Sequence, residues 1–318
     1  MTIKSAAELR RLNEAARAGW LYYVAGNTQD EIARKLGMSR QSAQRMVSLA
    51  MSEGLVKVRL DHPIAHCMEL SLRLKDRFHL MSCEVVPSDP DDPFSLTGLG
   101  HAGAARIERY LREDDSLTIA LGTGRSLVAC TEELALMECP QHSIVSLTGN
   151  ILLNGSASAY DVVVRTANRV NASYFPMACP VLSRNAEDKK ALQKQEHVSS
   201  VLKLAKEADV TFVGIGDMGI QSPLYVDGFI TRDELSMLEK VGAAGEILSW
   251  VYNADGQLVD GIKDRVASAP LTVNSDKPVY GLAVGEYKVE AIIGALRGKL
   301  INSFITNEKT AELILARD

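Results

Sequence analysis

The chain has 318 residues, 46% of them hydrophobic and 24% charged, and this composition predicts a folded protein of about two domains. No apolar run approaches the roughly 20 residues of a transmembrane helix, and the N-terminus lacks the apolar segment of a secretory signal. Five scattered cysteines without a Cys-x-x-Cys pair support neither a disulfide framework nor a zinc site. We therefore expect a cytoplasmic protein with no membrane partner, no metal and no catalytic cofactor.

The net charge of −5 is unevenly distributed along the chain. Residues 1–60 carry ten Lys and Arg against five Asp and Glu, whereas the rest of the chain carries 25 basic and 35 acidic residues. A basic front on an acidic body indicates that the front meets a polyanion. We place the boundary near Asp61-His62-Pro63, which gives domains of residues 1–60 and 61–318.

The first predicted helix spans residues 8–24. Apolar residues recur there at helical spacing. The expected core stripe of this helix consists of Leu9, Leu12, Ala16, Trp20 and Tyr23.

The next stretch, TQDEIARKLGMSRQSAQRMV, predicts two short helices around a tight turn. Thr28 and Glu31 have the spacing of a capping box, in which each side chain accepts a hydrogen bond from the other residue's backbone amide. Gly37 suits a left-handed helix end, and Ser39 suits the cap of the second helix. The turn of Gly37, Met38 and Ser39 makes this a helix-turn-helix pattern.

The second helix of that pair has one apolar and one polar face. Ala43, Met46, Val47 and Ala50 fall on the inner side, whereas the outer side carries arginine and glutamine, which can bond guanine and adenine edges in the major groove. We predict DNA contacts by Thr28, Ser39, Arg40, Gln41, Ser42, Gln44, Arg45 and Lys57. The alternative is an ordinary helical hairpin whose polar face is only solvated.

The segment EGLVKVRL, residues 53–60, predicts a turn and a β-strand. Lys57 and Arg59 alternate with apolar residues, so both can face phosphates from one side of a small wing. The Pro63 that follows interrupts the pattern and supports a domain boundary there.

The remaining residues alternate between strand and helix patterns, which predicts an α/β domain with a mostly parallel sheet and helices on both faces. The predicted strands are 117–121, 143–147, 210–213, 279–283 and 301–305, and the predicted helices are 127–136, 198–206, 286–296 and 308–316. No internal repeat or low-complexity linker interrupts this alternation.

Glycine-rich turns follow these strands. In an open α/β sheet, ligands bind outside the carboxyl ends of the strands, so the turns should converge on one site. The turn GTGRS is the strongest candidate, because backbone amides, two hydroxyls, an arginine and a following helix N-terminus suit a phosphate. The alternative is a tight turn without a ligand. The candidate residues in these turns are Gly122, Thr123, Gly124, Arg125, Ser126, Gly149, Asn150 and Gly216.

Three charged residues complete the candidate site. Lys288, at the start of a helix after Gly285, can neutralise a phosphate or form a Schiff base with a sugar aldehyde. Asp217 and Glu246 are candidate partners for sugar hydroxyls. For each of the three, the alternative is an ordinary solvated side chain.

The sequence GIGDMG matches a dinucleotide fingerprint but lacks its context. The fingerprint needs a helix that opens at the loop, and Pro223 follows four residues after Gly219. It also needs an acidic residue after a second strand, where the sequence reads DGFITRDELSMLEK, a turn and a helix. The turn GTGRS lacks the Gly-Lys-Ser/Thr of a P-loop. We therefore expect neither NAD binding nor nucleotide hydrolysis.

Six motifs follow one another along the chain: TQDEIARKLGMSRQSAQRMV, EGLVKVRL, LGTGRSL, VGIGDMG, GAAGEI and GEYKVEAIIGALRGKLINSFITNEKTAELIL. In this order and spacing they resemble the SorC family of bacterial transcriptional regulators, within the group called SorC/DeoR, over nearly the whole chain. The family's phosphate loop corresponds to Gly122–Ser126 and its pocket lysine to Lys288. Asn150 and Asn307 differ from the residues common in the family, and Arg125 is not a fixed feature of it.

The resemblance implies a helix-turn-helix domain joined to a Rossmann-like effector domain, similar to ribose-5-phosphate isomerase and glucosamine-6-phosphate deaminase. It also implies operator DNA, a sugar-phosphate or polyol effector and a tetramer. A sugar-phosphate enzyme with a DNA-binding appendage is the alternative, but no histidine or carboxylate pair accompanies the glycine-rich loops as general acid–base chemistry requires. A DNA-binding structural protein with an inactive pocket is a third interpretation.

Overall fold

The computed structural model describes residues 6–58, 64–151, 156 and 161–317. The chain forms two compact units, residues 1–62 and 63–318. The boundary expected after residue 60 lies outside the described residues.

The described part of the first unit is helical. A small core of Ala18, Ile32, Ala33, Ala43 and Val47 joins its helices. Those helices are α1 Ala6–Tyr23, α2 Gln29–Leu36 and α3 Arg40–Ser52.

The predicted caps at the starts of α2 and α3, and the predicted end of α2 at Gly37, are confirmed. The amide of Thr28 donates to Glu31 Oε2 at 2.8 Å, and the amide of Glu31 donates to Thr28 Oγ1 at 3.3 Å. Gly37 ends α2 with φ 66°, in the left-handed region, and Ser39 Oγ accepts from the amide of Ser42 at 3.1 Å. These caps satisfy helix-end amides that otherwise need water, so they fix where each helix begins.

The predicted core stripe of α1 is wrong. Leu9 and Trp20 are 51% and 56% exposed, and Tyr23 is exposed as well. Small residues take the buried positions instead, because a Cβ at Gly19 would lie only 2.8 Å from the Cβ of Ala50 in α3. Close backbone approach therefore decided which face of α1 is buried, and the larger side chains were left outside.

The predicted wing strand is not present in residues 53–58. The amides of Leu55 and Val56 both donate to the carbonyl of Ala50, so the chain folds back under α3. Val56 packs against Gly19 and has no strand partner. Lys57 is exposed beyond this turn, whereas Arg59 lies outside the described residues.

The second unit is built on a seven-stranded sheet in which every pairing is parallel. The strands are β1 Ser82–Val86, β2 Thr118–Leu121, β3 Ser143–Ile151, β4 Ser173–Pro180, β5 Val210–Gly214, β9 Val279–Leu282 and β10 Ser303–Asn307. The order across the sheet is β1-β10-β9-β5-β2-β3-β4. The predicted strands are confirmed within two residues at their starts, whereas β1 and β4 were not predicted.

Helices cover both faces of this sheet, as predicted. Along β2, Ile119 and Leu121 belong to one hydrophobic cluster, whereas Ala120 belongs to another, because successive strand side chains point to opposite faces. The covering helices are α4 Ala65–Phe78, α5 Thr97–Leu111, α6 Arg125–Glu133, α7 Val162–Val170, α9 Glu196–Glu207, α12 Val289–Arg297 and α13 Glu308–Leu315.

A small antiparallel sheet, absent from the prediction, lies beside the main one. Its strands are β6 Gly216–Asp217, β7 Ala243–Ile247 and β8 Trp250–Asn253, in that order. A third hydrophobic cluster lies here, and the short helices nearby are α8 Ala186–Gln193, α10 Pro223–Val226 and α11 Arg232–Lys240.

The β7–β8 hairpin is held against α12. Tyr252 donates its hydroxyl to the carbonyl of Ala291 at 3.0 Å. A Cβ at Gly245 would lie 2.5 Å from that of Ala291, so only glycine permits this contact. The hairpin and the helix that begins after Lys288 therefore form one packed block.

Candidate functional site

A cavity of about 820 Å³, its open mouth included, lies where the turns after β2, β5 and β9 meet the last part of β3, which continues through Gly149 and Asn150 instead of turning there as predicted. Carboxyl ends of parallel strands share one edge of the sheet, which is why residues far apart in sequence converge there. The described residues that line it are Thr123, Gly124, Arg125, Ser126, Thr148, Gly149, Val181, Gly214, Ile215, Gly216, Pro223, Leu224, Asp227, Phe229, Glu246, Leu248, Ser249 and Lys288.

The N-terminus of α6 opens at this cavity. Gly124 is its N-cap with φ 107°, a left-handed conformation that favours glycine, and its carbonyl accepts the amide of Val128 at 3.0 Å. The helix then begins with Arg125 and Ser126, both of which line the cavity. First-turn amides have no partner within a helix, and they point along its positive dipole end. Together with the guanidinium of Arg125, they form a surface suited to an anion.

Lys288 brings a second positive charge to the cavity. Its side chain is 9% exposed, and its Nζ donates to the carbonyl of Ile215 at 2.9 Å. Burial lowers the pKa of Lys288, and the nearby charge of Arg125 acts in the same direction, whereas Asp217 and Glu246 oppose it. The amine is thus held by a backbone carbonyl, and the charges of two carboxylates act on it from nearby.

Glu246 is a fixed carboxylate in the same cavity. The amide of Ser249 donates to its Oε2 at 2.8 Å. Its Oε1 lies so close to Gly216 that a Cβ at that position would overlap it. Burial raises the pKa of Glu246, although the hydrogen bond from Ser249 and the charge of Lys288 oppose this. A rigid acceptor beside an amine suits the hydroxyl groups of a sugar or polyol.

Two adjacent residues at the tip of the β7–β8 hairpin are strained. Leu248 and Ser249 have φ 54° and 68°, a conformation that costs non-glycine residues free energy. Two-residue hairpin turns of this kind favour Asn-Gly. Both residues line the cavity, and Leu248 would touch a Cβ at Gly122 at 3.0 Å. The hairpin tip therefore lies against the end of β2 in a conformation that costs free energy.

The predicted effector residues mostly come together. Gly122 and Asn150 do not line the cavity: the amide of Gly122 pairs with the carbonyl of Phe212, and Asn150 lies in β3. Asp217 lines a neighbouring cavity. The remaining predicted residues line the cavity, namely Thr123, Gly124, Arg125, Ser126, Gly149, Gly216, Glu246 and Lys288.

Several residues that line the cavity were not predicted from the sequence. Thr148 comes directly before Gly149 and could have been found from that glycine. Ser249, Leu248 and Asp227 carried no signal, because their place in the cavity depends on the hairpin and α10, which the sequence patterns did not reveal.

The polar face of α3 is exposed as predicted. Arg40, Gln41, Gln44 and Arg45 are exposed, and Arg40 Nε lies 3.6 Å from Asp30 Oδ1. The hydroxyls of Thr28, Ser39 and Ser42 bond within the caps of α2 and α3. These hydroxyls therefore hold the helices in place, and the arginine and glutamine side chains form the outward surface.

No helix within the described ranges 6–58, 64–151 and 161–317 is both long and apolar enough to cross a membrane. No group of three or more His, Cys, Asp or Glu residues within these ranges is arranged to hold a metal ion.

Residues 62–316 match the family model described as the sugar-binding domain, Sugar-bind. The erythritol catabolism regulatory protein EryD of Brucella abortus (strain 2308) is 33% identical over 304 residues, which cover 95% of this chain and 96% of EryD. Transcriptional regulator LsrR of Escherichia coli K12 is 30% identical over 308 residues, covering 95% and 94%. The full-length sorbitol operon regulator SorC of Klebsiella pneumoniae superposes with TM-score 0.74 and 28% identity, covering 98% of this chain and all of that chain.

The matched family model and these relatives, which are transcriptional regulators, define the class of protein: a transcriptional regulator with a sugar-binding domain. This chain belongs to the sugar-binding domain family of SorC/DeoR-type transcriptional regulators.

The strain at Ser249 predicts opposite effects of two substitutions. We expect Ser249→Gly to raise the free energy of unfolding by about 1 kcal/mol, because glycine adopts φ 68° without strain. The matched variant Ser249→Val should lower it, because a β-branched side chain is unfavourable there. Chemical denaturation of the effector-free protein measures both. Equal stability of the two variants would contradict strain at this position.

The half-buried Glu246 predicts a dependence of stability on pH. Burial raises its pKa in the folded chain above the ordinary 4.5, so ionised Glu246 destabilises the fold at neutral pH. This penalty disappears as the pH falls from the raised folded pKa towards 4.5. We therefore expect the wild type to gain stability relative to Glu246→Gln across that window. Thermal unfolding at matched pH values tests this, with exposed Glu239→Gln as control. A stability difference between the wild type and Glu246→Gln that does not change with pH would contradict this prediction.

Proposed function

We propose that this protein is a cytoplasmic regulator of a carbohydrate or polyol catabolic operon, and that a phosphorylated sugar in the cavity controls its affinity for operator DNA. The observation that carries the proposal is the meeting of the α6 N-terminus, Arg125 and Lys288 in one cavity with the fixed carboxylate of Glu246. The cavity offers an anion surface and a hydroxyl acceptor together.

A sugar phosphate would lie in this cavity in one orientation. Its phosphate would accept hydrogen bonds from the first-turn amides of α6 and the hydroxyls of Thr123 and Ser126, with Arg125 as counter-charge. Its hydroxyl groups would reach Glu246 and Lys288. The reverse orientation would bring the phosphate against the carboxylate, and like charges at short distance repel.

The first unit supplies the proposed DNA contacts. Arg40, Gln41, Gln44 and Arg45 project from the N-terminal half of α3, the part of a recognition helix that reaches base edges. Lys57 would contact the phosphate backbone. Thr28, Ser39 and Ser42 would act by fixing the two helices in register, because their hydroxyls bond within the caps.

Control would follow from a shift between two arrangements of an oligomer, for which the resemblance implies a tetramer. The effector can move that equilibrium only as far as it prefers one arrangement. The coupling is reciprocal, so operator DNA must change effector affinity by the same factor. No catalytic cofactor takes part in this mechanism.

An unphosphorylated polyol is the second candidate effector. The carboxylates of Glu246 and Asp227 both line the cavity and would oppose a dianion while accepting hydroxyl donors. The relatives EryD and SorC carry erythritol and sorbitol in their names, and both compounds are unphosphorylated polyols.

The proposal is tested by fluorescence anisotropy with DNA from upstream of the neighbouring catabolic operon. The full chain is titrated at fixed salt with sugars, polyols and their phosphates, because phosphate contacts make DNA affinity depend steeply on salt. A shift produced only by a phosphorylated compound supports the first candidate, and one produced by a free polyol supports the second. Specific binding that no compound shifts would count against effector control.

Arg45→Ala should weaken operator binding by about 1–3 kcal/mol if Arg45 bonds a base. Loss at a single base position distinguishes this from a phosphate contact, which weakens binding on all sequences. Arg17→Ala, an exposed arginine on α1, is the matched control. Anisotropy on the operator and on a scrambled fragment measures the difference, and equal losses on both would exclude base reading by Arg45.

Thr123→Ala combined with Arg125→Ala should abolish the effector response and leave operator affinity in the absence of effector unchanged. The two changes remove a hydroxyl and the counter-charge from the phosphate surface, and both residues belong to the second unit. Arg184→Ala, an exposed arginine of the second unit, controls for loss of charge. A retained response would remove the turn after β2 from the effector site.

A further inference from the structure

A second cavity adjoins the first. Arg125, Pro223 and Asp227 line both cavities and form the wall between them. The second cavity extends along β6 and the loop that follows it, and reaches the start of α12.

The two cavities differ in charge. The first contains both Arg125 and Lys288, together with the positive end of α6. The second contains Arg125 but also the carboxylates of Asp217, Asp227 and Glu290. The excess of negative charge makes the second cavity unfavourable for a phosphate or carboxylate ligand and favourable for a cation.

Asp217 shows that this second cavity has an unused acceptor. Its side chain is 8% exposed and lines the cavity, and its Oδ1 is buried with no hydrogen-bond partner among the described residues. A buried polar atom without a partner costs free energy, and native structures rarely leave one unless a ligand or water supplies the bond. The same carboxylate lines the cavity, so a cation there lies against its charge.

The remaining wall suits an organic cation rather than a bare metal ion. Tyr287 presents an exposed ring at the cavity, and an ammonium group is attracted to such a ring. Ile220 and Val226 add exposed apolar surface for a carbon chain. Within the described residues, the carboxylates are not grouped as metal ligands.

We propose that this second cavity binds a small organic ammonium ion, with Asp217 accepting its N–H groups and Glu290 and Tyr287 stabilising its charge. This site differs from the sugar-phosphate cavity, because it would recognise a cation, whereas the first cavity would recognise an anion. Arg125 stands between the two ligands, so occupation of one site changes the electrostatic environment of the other.

The test uses isothermal titration calorimetry of the full chain at fixed ionic strength with two probes. Putrescine carries ammonium groups on a four-carbon chain, and 1,4-butanediol carries neutral hydroxyls on the same chain. We expect saturable binding of putrescine and none of the diol. Asp217→Asn should weaken putrescine binding about tenfold or more, because an amide cannot replace the carboxylate charge.

Glu290→Gln is the second variant, since Glu290 is exposed and its substitution does not disturb the core. It should also weaken putrescine binding, whereas Asp255→Asn, which removes the same charge from an exposed turn, should not. Absence of putrescine binding overturns the proposal. So does equal binding of the diol, or unchanged putrescine binding in both cavity variants.

Discussion

The uniform direction of the seven strands is the constraint on which the rest of the second unit depends. Because β2, β3, β5 and β9 run parallel, their carboxyl ends lie at one edge, together with the turns that follow β2, β5 and β9. The N-terminus of α6 then opens at that edge without further adjustment. Lys288 reaches the same edge from a position more than 160 residues later in the chain.

The small antiparallel sheet completes the site by a different principle. The main sheet supplies backbone amides and positive charge, whereas the hairpin supplies an acceptor in the form of Glu246. Two close contacts set this acceptor: the amide of Ser249 bonds it, and the missing Cβ of Gly216 makes room for it. Binding chemistry of both signs therefore arises from two sheets that share one hydrophobic core and both contribute residues to the cavity.

Local signals predicted much of this architecture. The capping box at Thr28, the left-handed Gly37 and the glycine turns after buried strands act through nearby backbone atoms, so a short stretch of sequence reveals them. The face of α1 and the path after α3 depend instead on how closely Gly19 approaches Ala50, a distance that periodicity does not encode. Large apolar residues at helical spacing were therefore misassigned to the core.

Some residues of the candidate site could likewise be predicted from local signals, whereas others could not. The turn GTGRS and Lys288 could be predicted, because phosphate-binding turns have local requirements in glycine and charge. Leu248 and Asp227 could not, since the hairpin and α10 bring them to the cavity. Asp217 shows the limit most clearly: its sequence motif is adjacent to the predicted site, yet its side chain lines the other side of the Arg125 wall.

The packing of the β7–β8 hairpin on α12 has one more consequence. Glu246 lies in the hairpin and Lys288 immediately precedes α12, and the contacts of Gly245 and Tyr252 with Ala291 join the two elements. Because these contacts join the two elements, the spacing between Glu246 and Lys288 is set by the packing of one block. The cavity therefore presents its acceptor and its amine to a ligand as one preformed pair.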